Sequence, residues 1–377
     1  MLDHATLSTR QRSPSAEADS RDLRFDFAKG VLIIFVITGH LAQYVIYGDN
    51  DYWNSPYYKS IYMFHMPLFM AISGYLSSGA LLRKSLAGSV SDRATQLLLP
   101  TLFWCTFMET IKLAALKLAG ASPLNSVSGG LSDFATDLIG SYWFVWAAFA
   151  SFLAIRLLLA ACGRLSMWIM CISVIVFALA PMTVSIVPLL RYTFPFFCLG
   201  FVFAQASDWR AHIISRHKPL LMFLLAATTC ACFLSWRKDT YVYNNLVLIR
   251  DMASAKQVLL MFLGSAAAFA VVMELVLQLW SVSCPNRVAR FVAVELGQST
   301  LLLYLVQGSV FRLMDLIPLG ETWDLFTRVA VAGMLGVGIV VVAMTIRRIV
   351  HDHGWVSRIV LGAPPRSRLL KAQQLTN

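Results

Sequence analysis

Apolar runs of about 20 residues recur almost end to end along this chain, near 27–47, 57–79, 97–119, 141–162, 165–181, 185–206, 219–236, 257–280, 291–316 and 324–346. As helices, most are long enough to cross a hydrocarbon layer of roughly 30 Å. Several runs contain Pro, Gly or a charge. That argues against barrel strands and for helices whose interrupted backbone is covered by other helices. The pattern predicts an all-α, polytopic integral membrane protein with about ten transmembrane helices.

Composition agrees: 58% hydrophobic and 14% charged residues, with a mean hydropathy of +0.66, exclude a soluble globular chain of 377 residues. Lys and Arg gather before the first run, after the second (Arg83, Lys84, Arg93), after the fourth, sixth and eighth, and beyond the tenth. Segments 48–56 and 120–140 carry none. The bias predicts both termini in the cytoplasm, with the basic segment 237–256 as the exception. Anionic headgroups account for the formal charge of +11, so lipid and not nucleic acid is the expected partner. Residues 1–24 read as a disordered cytoplasmic tail with no cleavable signal, 25–348 as one membrane domain and 349–377 as a basic cytoplasmic tail. The seven Cys lack CxxC or zinc spacing. They read as small core residues, and no metal is expected.

Chemistry is concentrated inside the runs. Lys29 and His40 are eleven residues apart, which on a helix returns to within about 20° of one face after a climb of about 16 Å. A buried His is costly and marks a candidate site. Counting rise from the helix ends puts His40, His65, Glu109, Arg191, Tyr304 and Gln307 at one depth in the outer half of the membrane, about 18–24 Å above the cytoplasmic edge. Groups this polar are expected to face a shared interior. Pro67 beside His65 predicts a kinked second helix and a pocket there, and Ser73-Gly74 allows close approach of a helix or a thin ligand chain. Outer aromatics, including Tyr52, Trp53, Tyr57, Tyr58, Tyr142 and Trp143, suit either sugar stacking or an interfacial belt.

These stretches resemble the acyltransferase-3 family of membrane-bound acyltransferases, in particular its surface-polysaccharide and fucose acetylase-like sugar O-acetylases. The resemblance rests on RDLRFDFAKGVLIIFVITGH, with the family's basic residue, ten residues and His at Lys29 and His40, and on FHMPLFMAISGYL at 64–76. YWFVWAAF (142–149), FPFFCLGFVFA (194–204) and LGQSTLLLYLVQ (296–307) follow in the family's order. Two positions depart from the pattern: Gln96 stands where many members have a second Arg after Arg93, and Gln307 where many have His.

The resemblance implies transfer of an acetyl group from cytoplasmic acetyl-CoA to a hydroxyl of a cell-envelope glycan, free or lipid-linked, at the bacterial inner membrane. The acyl group goes to its acceptor directly or through a partner protein of glycan assembly. His40 is the candidate general base, with His65 as orienting partner or relay and Glu109 as the group fixing a His tautomer. Lys29, Arg83, Lys84 and Arg93 are the candidate ligands of the CoA phosphates, while Arg191, Tyr304, Gln307 and Trp143 are candidates for holding the sugar or a developing oxyanion. A covalent acyl-His stays open beside direct transfer. The alternative reading is a transporter or flippase for a glycan or lipid-linked sugar. Its expected pair of corresponding interrupted segments is missing, because the polar residues concentrate in the first three runs.

Overall fold

A computed structural model describes residues 22–47, 52–118, 127–163, 165–179, 186–242, 249, 251–284, 286–314 and 323–362, with backbone only for 127–129 and 207–216. These residues are helical with no strand among them. The helices are α1 (Leu23–Leu41), α2 (Pro56–Tyr62), α3 (His65–Arg83), α4 (Leu86–Leu118), α5 (Val127–Gly140), α6 (Trp143–Cys162), α7 (Met167–Leu179), α8 (Val187–Gln205), α9 (Ser207–Ser235), α10 (Met252–Ser283), α11 (Arg287–Phe291), α12 (Thr300–Met314), α13 (Leu325–Val350) and α14 (Gly354–Leu361). Eight helical stretches among the described residues are long and apolar enough to cross a membrane.

Two of the ten expected runs take other forms. The run at 165–181 yields the 13-residue helix α7, too short to span by itself. The run at 57–79 is divided between α2 and α3 at Met63-Phe64. Pro67 falls in the first turn of α3, and the expected kink takes the form of a full break at Met63-Phe64, where the Met63 carbonyl would have needed the N–H that Pro67 lacks. The expected disorder of residues 1–20 lies outside the described residues. The cysteines also divide: Cys105, Cys198 and Cys232 are buried, but Cys162, Cys171 and Cys230 are exposed. Exposed cysteines on an apolar helix need no protein core, since lipid solvates a thiol of low polarity well.

Glycines decide which helices touch. A Cβ on Gly200 of α8 would overlap the Ala71 carbonyl oxygen of α3, and one on Gly74 would overlap that of Phe197. These reciprocal seats let the two backbones meet with no side chain between them, the small-residue packing that membrane helices use. α1 meets the start of the α11–α12 stretch in the same way: Gly30 faces the Val292 carbonyl and Gly297 faces that of Asp26. Asp22 starts α1 as its N-cap, accepting the Arg24 N–H at 3.0 Å. The Arg24 guanidinium bonded to it holds the Asp22 carboxyl below the usual carboxylate range.

Between α11 and α12 the chain widens into a π turn, Val292–Leu296, then tightens into a 3-10 turn, Gly297–Ser299. Such irregular turns free backbone carbonyls. Arg347 of α13 collects them, its Nη1 donating at 3.0 Å to the carbonyls of Val294 and Glu295 and to Glu295 Oε2, while Nη2 reaches Gln298 Oε1 at 3.5 Å.

Alanine at Gly74 or Gly200 is expected to cost about 1–3 kcal/mol by overpacking, read as a lower apparent thermal midpoint of detergent-solubilised protein. Gly338→Ala, with no atom within 4 Å of its Cβ, leaves the midpoint unchanged. Arg347→Met is expected to lower it by about 1.5–3 kcal/mol, the worth of a hydrogen bond to a charged group, with the exposed neighbour Arg348→Met as control.

Candidate active site

One cavity of about 530 Å³ runs between α1, α3, α4, α6 and α12. From α1 it takes Lys29, Ile33 and Val36, steps of four and three residues that keep one helical face. His40 continues the stripe one turn beyond. α3 contributes Met66, Phe69, Ser73 and Ser77 with the same periodicity, and α6 contributes Phe144, Ala148 and Phe152.

The end at which basic residues cluster is polar. Lys84 Nζ and Asp92 Oδ2 pair at 2.6 Å across the mouth. Arg93 donates from Nη2 to Ser73 Oγ and from Nη1 to Gln96 Oε1, both at 3.0 Å, and lies 5.8 Å from the centre of the Phe152 ring. It pairs with no carboxylate among the described residues, so its charge stays available to an anion in the cavity. Lys29 differs: its Nζ lies 2.7 Å from Oδ1 of the buried Asp26. Arg83 is exposed and does not line the cavity.

Val36, Met66, Phe144 and Tyr304 also line the cavity. His40 (one turn past Val36), His65 (next to Met66) and Gln307 (one turn past Tyr304) adjoin these residues along their helices and do not line it themselves. His65 Nδ1 lies 2.8 Å from the Ile61 carbonyl. A carbonyl only accepts, so Nδ1 carries the proton and Nε2 is the basic nitrogen. Tyr62 packs edge-on against this ring at 4.5 Å. Among the described residues the buried Nδ1 of His40 has no hydrogen-bond partner, nor has Oε1 of the buried Gln307. Tyr44 and Phe311 flank His40, with ring centroids at 6.2 and 5.5 Å. The Tyr304 hydroxyl reaches the Ser141 carbonyl at 3.4 Å.

The remaining candidates go elsewhere. Glu109 makes no bond to either imidazole. It faces Arg312 at 3.4 Å and Lys112 at 4.0 Å, in a network that Asp137 completes by pairing closely with Arg312. Arg191 is buried in α8 but does not line the cavity, and Trp143 packs into the hydrophobic core at the start of α6. Tyr52, Tyr58 and Tyr142 are fully buried, which leaves them neither a sugar platform nor an interfacial belt. Asp26, Asp92 and Gln298 were not among the residues expected from sequence, and Ser73 was expected only as a small residue allowing close approach. Asp26 had a signal, the three-residue spacing to Lys29 that pairs charges on a helix. The others are separated in sequence from what they serve, and no spacing announces them.

A family model described as an acyltransferase domain, acyltransferase-3, matches residues 22–348. Among curated proteins the chain is 58% identical over 379 residues to the nodulation protein NolL of Mesorhizobium japonicum, covering 100% of both chains. It is 59% identical over 355 residues to NolL of Sinorhizobium fredii, covering 94% of this chain and 95% of that one. No solved structure matches with significance. The cavity thus lies within a membrane acyltransferase, and the chain belongs to the acyltransferase-3 family.

Proposed function

We propose that this enzyme moves an acetyl group from cytoplasmic acetyl-CoA to a hydroxyl of a cell-envelope or exported glycan at the bacterial inner membrane, with His40 as general base. One observation carries the reading. The α1 face of Lys29, Ile33 and Val36 lines a cavity that opens among basic residues and stops one turn short of His40. From Lys29 to His40 is about 16 Å, within the reach of an extended pantetheine arm.

The residues present fit such a donor. Arg93 and Lys84 would receive phosphate at the mouth, while the apolar walls accept the thin arm and keep water from the thioester. Lys29 adds a cation just inside, held upright by Asp26. His40 has a buried nitrogen with no partner among the described residues, available to the acceptor hydroxyl. It takes the hydroxyl proton as that oxygen bonds to the acyl carbon, then returns the proton to the departing thiolate as the C–S bond breaks. His65, its Nε2 basic, can relay that proton. Gln307 brings an amide N–H to the oxyanion side, whereas the Tyr304 hydroxyl already donates to the Ser141 carbonyl. Glu109 takes no part in proton transfer in this scheme, since its partners are Arg312 and Lys112. The two relatives are named for nodulation, and an exported glycan acting in nodulation is the acceptor we propose.

Membranes from cells making equal amounts of wild type or variant, supplied with acetyl-labelled CoA, are expected to place base-labile label in the extracted glycan. His40→Ala is expected to lower that label by about 10²–10⁴-fold, the worth of a general base. Equal label in both would remove His40 from the chemistry. Arg93→Ala is expected to raise the donor KM about tenfold or more, as befits a lost hydrogen bond to a charged group, with a smaller change at the off-cavity Arg83→Ala.

A further inference from the structure

The family match stops at residue 348, yet the cavity wall does not. Leu361 and Gly362, at the end of α14, line the mouth together with Arg93 and Gln96. α14 has one buried face, carrying Ser357 and Val360, and one exposed face, carrying Trp355 and Val356.

Its C-terminus is fixed to α4 by contacts that follow from local chemistry. Pro100 has no N–H, so the carbonyl of Gln96 loses its regular helical donor. Gly362 closes on that carbonyl so tightly that a Cβ would overlap the oxygen and stand 3.1 Å from Pro100 Cγ. Gly362 also has φ +68°, the left-handed cap that ends the helix, and donates its N–H to the Arg358 carbonyl at 3.1 Å. One helical turn beyond Pro100, the Trp104 indole donates to the Val360 carbonyl at 3.2 Å, which satisfies a helix-end acceptor that has no partner within α14.

Gln96 joins the two arrangements. Its backbone carbonyl seats Gly362 while its side-chain oxygen accepts from Arg93 Nη1 at 3.0 Å. We infer that α14 is a working wall of the donor pocket, and that Gly362 and Trp104 act as positioning residues, holding Gln96 and through it the Arg93 guanidinium toward an incoming CoA phosphate. The inference rests on the donor reading given above. It gives donor affinity to a segment beyond the matched domain.

The test is binding of radiolabelled CoA to the purified full-length chain, at equal amounts of monodisperse protein, for wild type, Gly362→Val, Trp104→Phe, Arg93→Ala and the double variant Arg93→Ala/Gly362→Val. Gly354→Ala serves as control at the open end of the same helix, where nothing lies within 4 Å. Gly362→Val is expected to weaken CoA about tenfold and to raise the acetyl-CoA KM equally, with kcat within about threefold, while Gly354→Ala binds as wild type. Because both changes act through Arg93, the double variant should bind no worse than Arg93→Ala alone. Trp104→Phe keeps an aromatic ring and removes the N–H donor together with the pyrrole part of the indole, so it should weaken CoA in the same direction if the Gly362 variant fails to fold. Wild-type affinity in the well-folded Gly362→Val or Trp104→Phe protein, or additive losses in the double variant, overturns the role of α14 and leaves the donor reading standing. Failure of wild type to bind CoA at all overturns both.

Discussion

The constraint on which the rest depends is direct backbone contact between helices at glycine. Gly74 and Gly200 join α3 to α8, and Gly30 and Gly297 join α1 to the irregular stretch before α12. Apolar side chains gain little by leaving lipid for one another, so close packing must supply the adhesion. Where α1 and α12 are held this closely, the space left between them and α3, α4 and α6 is narrow and has fixed walls. An active site in hydrocarbon needs such walls, since any gap wide enough for lipid or bulk water would dissolve the electrostatic differences that the chemistry uses.

Within those walls the charges are differently met. Arg93 bonds to Ser73 and pairs with no carboxylate among the described residues, whereas Lys84 is paired with Asp92 and Lys29 with Asp26. Glu109, Arg312, Asp137 and Lys112 form a separate balanced network, tying α4 and α5 to α12 instead of serving the histidines.

Much of this was legible in the chain itself. Run length gave the membrane class, and helical spacing gave the face that carries Lys29, of which Lys29, Ile33 and Val36 line the cavity. Depth counting was weaker: it grouped Glu109 and Arg191 with the histidines because rise per residue fixes height but not azimuth, and groups at one height can face different neighbours. Reading α2 and α3 as one span failed because hydropathy does not register a break at Met63-Phe64 when both sides are apolar. Arg93 was legible as a basic residue, but its bond to Ser73 was not, since that meeting depends on how α3 and α4 pack; Gln96, three residues on in α4, was read only as a departure from the family pattern. The wall built by Gly362 had no signal at all in a stretch that composition describes only as basic.

The joint between α11 and α12 carries a last consequence. A π turn advances the chain by less rotation per residue than a regular helix, whereas a 3-10 turn advances it by more, about 120° against 100°. Placed one after the other, the two errors oppose, and α12 resumes nearly in phase with α11. The defect is thus phase-neutral. It opens carbonyls for Arg347 at one point while leaving Tyr304 and Gln307 on the face an unbroken helix would have given them, which is why a hydrophobic pattern read across 291–316 passes over it without a trace.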